Sequence, residues 1–561
     1  MRPTIRPLAR LALAATTLAS APLAGHAADY YVSPAGHDGA DGTATAPWRT
    51  IERVNRQAIR PGDRILFESG REFTGNLVLA PPGAESDPKN PIVVGSYGQG
   101  RATIRAGRGI GVRVEDIGGV VIRDLLVLGD GLGANEGFGV LVLHRRTDAA
   151  RLERVRIEDV EARGFRWAGI YVGGVPTNLP GFEAPEGSRL GFRDVLIRRC
   201  TVRENTYNGI YVDGAAKTTE TTDYANRDVA IVQCVAADNP GDPRYTDNHS
   251  GNGILLADTD GGLIERCMAH GNGAANAGQT GGPVGIWTYA SNRVTIQSCE
   301  SYGNRTGGQA DGGGFDLDGG VTNSVIQYCY SHDNDGPGFL VWNYAGAPHQ
   351  LADNVVRYNI SAGDGRKHRY GGVSVGTSDA PINNLLVQNN TIYTTRIPGG
   401  EPSCVRVWDQ SGAALRFVNN LFVTDGGVPA LVCEMRRTGV RFLGNAYWAT
   451  DGAFHVQHGD RFDNLGAWRA ATGQERWRGA DVGLYADPRL SSVPRAETVG
   501  VGGVLASLAP FRLRAGSPLI DAGLDLDRIL GRTHGGRDFW GTPLPRGRGL
   551  DIGANELDTH E

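Results

Sequence analysis

A glycine followed by residues of alternating character recurs along the chain: Gly139-Val-Leu-Val-Leu, Gly169-Ile-Tyr-Val-Gly, Gly209-Ile-Tyr-Val-Asp, Gly253-Ile-Leu-Leu-Ala, Gly285-Ile-Trp-Thr-Tyr, Gly314-Phe-Asp-Leu-Asp, Gly338-Phe-Leu-Val-Trp and Gly372-Val-Ser-Val-Gly. The first and third residues after each glycine are mostly apolar, whereas the second and fourth vary. Side chains alternate along a strand, so each copy predicts a short strand with one face inward and one outward.

A second register lies upstream of each copy. Leu196-Ile-Arg-Arg-Cys200, Ile231-Val-Gln-Cys234, Leu263-Ile-Glu-Arg-Cys267, Thr295-Ile-Gln-Ser-Cys299 and Val325-Ile-Gln-Tyr-Cys329 end in cysteine, and the series continues with Asn359, Asn390, Asn420 and Asn445. One residue type held at one place predicts coils stacked in register, with internal ladders. The spacing between glycines runs from 24 residues (Gly314 to Gly338) to 44 (Gly209 to Gly253), which suits coils with variable loops and not a propeller. The fold expected is all-β: a right-handed parallel β-helix, a solenoid, its hand following the rule for parallel crossovers. Five of the seven cysteines fall on one ladder, where they read as buried free thiols and not as disulfides. The asparagines are expected to hydrogen-bond along the column or to turn backbone.

The ends differ. Residues 1–27 carry Arg2, Arg6 and Arg10, an apolar run and small residues up to Ala27, which reads as a cleaved signal peptide. No later stretch is long and apolar enough to span a bilayer. Residues 28–90 are expected to form an N-terminal cap, 91–445 the β-helix, and 446–561 a C-terminal irregular segment, packed on the helix end, and a closing cap. Removing three arginines and no acid takes the formal charge from -5 to -8, which argues against nucleic acid as a partner. A secreted or periplasmic monomer is expected.

The chemistry sits in the outward positions. Asp316 and Asp318 are two places apart on one strand, hence on one face, with α-carbons about 6.7 Å apart. Two carboxylates so close disfavour joint ionisation, so one should hold its proton. That division suits glycoside hydrolysis, in which one acid protonates the leaving oxygen and one carboxylate activates water. Asp311, in the preceding turn, is a third candidate. Trp287 and Tyr289 fall one rung to one side, Trp342 one rung to the other, and Tyr211 further along, as platforms for sugar rings or as packing under a loop. Arg406 and Trp408 extend the groove. The turn Asp364-Gly-Arg-Lys367-His-Arg369 offers Lys367 as a base and Arg369 for a substrate carboxylate, or is simply a solvated loop. His332 is a candidate for proton transfer or a turn histidine bonded to backbone. A calcium ion is the rival use of the acids, with Asp311, Asp316, Asp318 and either Asp333 or Asp335 as oxygen ligands.

With Tyr30-Tyr-Val-Ser-Pro-Ala-Gly at the start, the Gly62-Asp63 turn, the repeats, and Ser517-Pro-Leu-Ile-Asp-Ala-Gly with Asp551-Ile-Gly-Ala-Asn-Glu556 at the close, the sequence resembles the secreted pectate-lyase-like β-helix superfamily from Tyr30 to Glu556. The acidic cluster resembles that of inverting β-helix hydrolases of the polygalacturonase type, an activity requiring no cofactor. Gly-Phe-Asp-Leu is similar to the strand of calcium-dependent pectate lyases, whose lysine base lies on a nearby coil. Here Leu340 stands at that place, and the lysines are Lys89, Lys217 and Lys367. The resemblance implies a polysaccharide- or oligosaccharide-degrading enzyme. Hydrolysis is favoured, with calcium-dependent β-elimination of a uronate-containing glycan and non-catalytic glycan binding as alternatives.

Overall fold

The computed structural model describes residues 27–558 except 80–86, 148–149, 178, 180, 185–190, 215–222, 409–413, 435–438, 493 and 501–504. Nearly all of the leader expected at residues 1–27 lies outside the described residues. The chain winds into three sheets of 14 strands each, which we call I, II and III in the order in which a coil visits them. Sheet I starts at Asp29–Val32, sheet II at Glu72–Thr74 and sheet III at Leu77–Leu79. Strand pairing within these sheets is parallel except at the end of sheet III, where Val456–His458 meets Asp460–Phe462 antiparallel. The architecture is the expected all-β right-handed parallel β-helix.

Inward residues of successive strands stack into continuous columns. In sheet III, Ile170, Ile210, Ile254, Ile286, Phe315, Phe339, Val373 and Val405 pair in register and are fully buried. Phe315 and Phe339 lie nearly coplanar in stacking, 5.2 Å between ring centroids. The glycine that opens each strand is required by close approach: a Cβ on Gly139 would sit 2.3 Å from the carbonyl oxygen of Gly169, and one on Gly253 2.3 Å from that of Gly285.

Between sheets I and II the coil bends at a single left-handed residue, such as Arg199, Gln233, Arg266, Ser298 or Tyr328. The next residue is the ladder cysteine or asparagine. Cys267 donates its thiol to the Ile231 carbonyl (3.4 Å) and accepts from the Cys234 amide (3.4 Å). Asn359 performs both roles with an amide group, donating to the Ile326 carbonyl (3.0 Å) and accepting from the Cys329 amide (2.9 Å). All seven cysteines are free and buried. The asparagines continue amide to amide and end on Glu475, which accepts from Asn445 Nδ2 (2.8 Å) and the Tyr447 hydroxyl (2.7 Å). Burial pushes Glu475 up to about 7. A second amide ladder, not anticipated, runs at the corner between sheets II and III through Asn205, Asn239, Asn272, Asn304 and Asn334 to Asp364.

Residues 29–79 already supply strands to all three sheets, and the helix Ile51–Asn55 turns Ile51 and Val54 inward over the first coil. At the other end the helix Leu465–Thr472 lays Trp468 against Phe442 and Tyr447, at 5.7 and 5.8 Å. Beyond it the chain departs from the expected packing on the helix end. It turns back and runs along the outer face of sheet II, where Leu508 and Phe511 cover Tyr330, Ile360 and Ala362, and Leu519 and Ile552 cover Leu421, Val423 and Ala446. That face is apolar and needs a cover, whereas the helix end already has one in Trp468. Among the described residues no helix is long and apolar enough to cross a membrane.

These ladders make two measurable demands. A thiol reagent should find no reactive cysteine in the native protein and seven after denaturation without reductant; fewer than seven would reveal disulfides. Asn390→Ala orphans the Asn359 amide and the Val356 carbonyl. It should cost about 2–4 kcal/mol in chemical denaturation, as buried groups left without partners do.

Candidate active site

Strand pairing in sheet III places Leu141, Tyr171, Tyr211, Leu255, Trp287, Asp316, Leu340, Ser374 and Arg406 in one outward column. The early part of this column is packing: Tyr171 is fully buried among Phe138, Trp167 and Tyr207, with Phe182 from the loop above. From Tyr211 onward the cover lifts and the face opens into a pocket of about 490 Å³. Trp287, Asp316, Asp318, Leu340 and Trp342 form its floor. One wall comes from the turns joining sheets II and III, with Tyr245, His249, Thr280 and Asp311; Tyr344 and Ser378 stand opposite.

Asp316 is 3% exposed, and its Oδ1 has no hydrogen-bond partner; neither has Oδ1 of Asp318 nor Nε1 of Trp287. These three atoms line the pocket with their bonding capacity unused, the usual condition of groups awaiting a ligand. Burial, then the neighbouring Asp318 and Asp311, push Asp316 well above the ordinary carboxylate range. Burial also raises Asp318, to about 7, although the Gly319 amide donates to it and works the other way. Asp311 is raised by burial and partly restrained by Tyr370, whose hydroxyl donates to Oδ1 at 2.7 Å and accepts from the Asp311 amide at 3.0 Å. The three acids differ in solvation and hydrogen bonding, the condition for separate acid and base roles.

Deeper along the pocket, the Tyr211 and Tyr289 hydroxyls both donate to Oδ2 of Asp213, the latter at 2.8 Å, and the Gly214 amide donates to Oδ1 at 2.8 Å. This buried carboxylate fixes both rings. His249 is set by a chain of amides. The Val284 amide donates to Asn252 Oδ1 (3.2 Å), which leaves Asn252 Nδ2 to donate to Asn208 Oδ1 (3.1 Å) and to His249 Nδ1 (2.9 Å). With Nδ1 accepting, the neutral ring carries its proton on Nε2. Burial pushes His249 down to about 4, so the ring stays neutral at ordinary pH. It packs edge-on against Trp287 at 5.1 Å.

Of the residues singled out in the sequence, Tyr211, Trp287, Tyr289, Asp311, Asp316, Asp318 and Trp342 come together in this pocket. Trp408 supports it from behind, meeting Trp342 and Tyr370 at 5.6 Å each. The others are corrections. His332 is on sheet II, 2% exposed, stacked between Tyr302 and Tyr330 and bonded to Glu300 and Asp333; the corner between the two sheets turns it away from the acids. Lys367 spends its ammonium on the Thr306 and Gly308 carbonyls (2.7 and 3.5 Å), so it ties two turns together. Lys217 lies outside the described residues. Asp335 pairs with Arg305 and accepts from the Thr306 amide, apart from the other acids. Among the described residues no three His, Cys, Asp or Glu converge as metal ligands. Arg369 and Arg406 line a different cavity, further along sheet III.

Asp213, Asn252, His249, Tyr245, Tyr344 and Tyr370 escaped the sequence reading. Asp213 stands at the fourth place of its repeat and Tyr344 two places beyond the fourth of its own, on the same face, where a polar residue in an aromatic column was a usable signal. Asn252 directly precedes its repeat glycine in the same strand, whereas His249, Tyr245 and Tyr370 come from turns whose course the repeat does not encode.

Residues 186–422 match the family described as a right handed beta helix region. No curated protein sequence matches the chain. Among solved structures it is similar to the native GH136 lacto-N-biosidase from Eubacterium ramulus, at 17% identity over 77% of this chain and 68% of that chain with a TM-score of 0.44. It is also similar to XylC in complex with xylose, at 11% identity over 94% of this chain and 98% of that one with a TM-score of 0.43. A third is the pectate lyase Pel9A, at 14% identity over 95% and 97% with a TM-score of 0.36. At such identities these likenesses concern the fold alone. The matched region and the three parallel sheets give this chain the fold of a right-handed β-helix.

Proposed function

We propose that the protein is a carbohydrate-active enzyme that hydrolyses a glycosidic bond in the sheet III pocket. One observation carries the reading: two carboxyl groups on one strand face, both raised, each with an unpartnered oxygen, on the floor of a pocket bounded by aromatic rings. Asp316, in the more strongly desolvating position, keeps its proton and serves as general acid toward the leaving oxygen. Asp318 ionises first and is the carboxylate that assists the attacking water. Trp287 and Trp342 offer flat faces to sugar rings, whose C–H surfaces stack on them. Nε2–H of His249 and Nε1–H of Trp287 are neutral donors suited to sugar oxygens. Asp311 raises Asp316 by its charge, and Tyr370 sets how much charge it carries.

The same reading takes the mature protein to be secreted or periplasmic, supported by the leader-like N-terminus, and monomeric. The glycan is an oligosaccharide or polysaccharide.

Released reducing ends, measured on a panel of glycans, test the proposal. Asp316→Asn and Asp318→Asn should each lower kcat/KM by about 10²–10⁴-fold, the range for loss of a general acid or base. Chelation should leave the rate unchanged, and no product should absorb as an unsaturated uronate. Both variants retaining full activity would end the hydrolase reading. Chelator-sensitive release of absorbing products would replace it with β-elimination, and binding without cleavage would leave a glycan-binding protein.

Because Asp318 must be ionised to act, kcat/KM should fall as pH drops through about 7. It should fall again at higher pH as Asp316 loses its proton, giving a bell-shaped profile.

Stability should show the same protons. Both carboxyl groups hold protons more tightly folded than unfolded, so their contribution is complete below the unfolded value. It is lost as pH rises through the raised folded values. Asp316→Asn, which cannot ionise, should therefore melt higher than the wild type above pH 8 and close to it at pH 5.

A further inference from the structure

Past the acids, the outward column of sheet III runs from Asp316 through Leu340 and Ser374 to Arg406, three rungs or about 14 Å. There a second cavity, of about 430 Å³, is lined by Arg369, Arg396 and Arg406 with Glu401, Glu434 and Gln457. Arg406 is 4% exposed, and its Nε has no hydrogen-bond partner. Its nearest acidic contact is a marginal 3.5 Å from Nη1 to Glu434 Oε1, and that same oxygen lies 3.6 Å from Arg369. One half-exposed carboxylate is thus stretched between two guanidinium groups and closes on neither. Arg396 anchors its Nε on the Gly426 carbonyl at 2.8 Å, which leaves its terminal nitrogens on the cavity side.

A buried cation so poorly partnered is costly unless something else completes it. Burial, and then the like charge of Arg369, push Arg406 below its ordinary value, and Glu434 and Glu401 offset this only in part. The guanidinium fork matches planar and tetrahedral oxyanions through paired N–H donors, and three such forks at one cavity specify an anion more than a neutral hydroxyl. Between this cavity and the acids stand Trp342 and Trp408, both partly exposed and in edge contact at 5.6 Å.

We infer that this cavity is a second sugar subsite, which takes the anionic substituent, carboxylate or sulfate ester, of an acidic residue in the glycan bound at the acids. The inference rests on the proposed function for the word glycan, and it narrows the substrate class to acidic chains. A glycan reaching from Asp316 to Arg406 lies across Trp342 and Trp408, so the subsite fixes which unit of the chain reaches the catalytic pair.

Calorimetric titration of the full-length chain carrying Asp316→Asn, with trigalacturonate as the probe, tests it. Maltotriose serves as the neutral trimer, and glucose 6-sulfate and inorganic sulfate as anions with and without a sugar. Trigalacturonate should bind, more weakly as NaCl is raised. Arg406→Gln and Arg396→Gln should each weaken it at least tenfold. Arg396 is exposed, so its replacement reports on the site even where loss of the buried Arg406 disturbs folding. Maltotriose binding as tightly, arginine variants binding like the parent, or no acidic probe binding would each overturn the inference. Inorganic sulfate binding as tightly as glucose 6-sulfate would overturn its assignment to a sugar. The two proposals fail separately. Full activity in the Asp variants with arginine-dependent binding removes the hydrolase and keeps this subsite, whereas inactive Asp variants with arginine-independent binding do the reverse.

Discussion

Everything in this molecule depends on successive coils never slipping against one another. Parallel strands bond evenly along their length, and a slip of one residue would turn every inward side chain outward. The corner ladders remove that freedom. The carbonyl that Cys267 meets with a thiol is met one repeat type later by the amide of Asn359, and the following backbone N–H changes from a sulfur acceptor to an amide oxygen. The exchange keeps the same buried backbone groups satisfied, which is why two such different residues share a column. With the register held, a position on the outer face of sheet III has defined neighbours: Asp316 lies between Trp287 and Leu340 because Phe315 lies between Ile286 and Phe339.

The pocket arises without any change in that geometry. The strands on either side of the acids, Val284–Tyr289 and Phe339–Tyr344, have the same length and parallel pairing, whereas the turns 238–251, 271–283 and 303–312 are longer than the one at 204–207. Side by side they raise a wall beside a floor that the repeat already supplies. Where the loop beyond sheet III leans back over the column, as Phe182 does over Tyr171, outward aromatics become core. Where the wall stands clear, the same positions become a floor. Carboxyl groups on that floor weaken the fold once ionised, a cost the neighbouring rungs avoid with Leu255, Trp287 and Leu340.

Legibility followed the same division. Alternation and the cysteine-to-asparagine series are periodic, so the fold, the free thiols, the outward columns and the placing of Asp316 and Asp318 between the rungs of Trp287 and Trp342 could be read from the sequence. Residues placed by turns could not. His332 and Lys367 are near Asp316 in rung number, but rung number measures height along the helix and says nothing of which sheet or corner a residue occupies. His249 and Tyr370 reach the site from turns whose paths depend on tertiary packing. Arg406 was legible as an outward residue of the column; its separation from the acids follows from simple distance along it.

The histidine that the sequence put forward shows why one flank of a β-helix suits chemistry and another does not. Sheet II carries an apolar outer face, and the returning C-terminal segment is bonded to it through Glu300, which accepts from the Val499 and Gly500 amides (2.7 and 2.6 Å) and from His332 (3.3 Å). Burial alone would lower His332, but Asp333 and Glu300 outweigh it and hold the ring above its ordinary value. A ring so held between two carboxylates, beneath a covering strand of chain, braces the strap against the helix. Catalysis needs the opposite: groups whose partners are missing until a ligand arrives. Sheet III leaves Asp316, Asp318 and Trp287 in that state because, among the described residues, no C-terminal strap lies over them. The path of the last seventy residues thus decides, by covering one face, on which face the protein's chemistry has room to act.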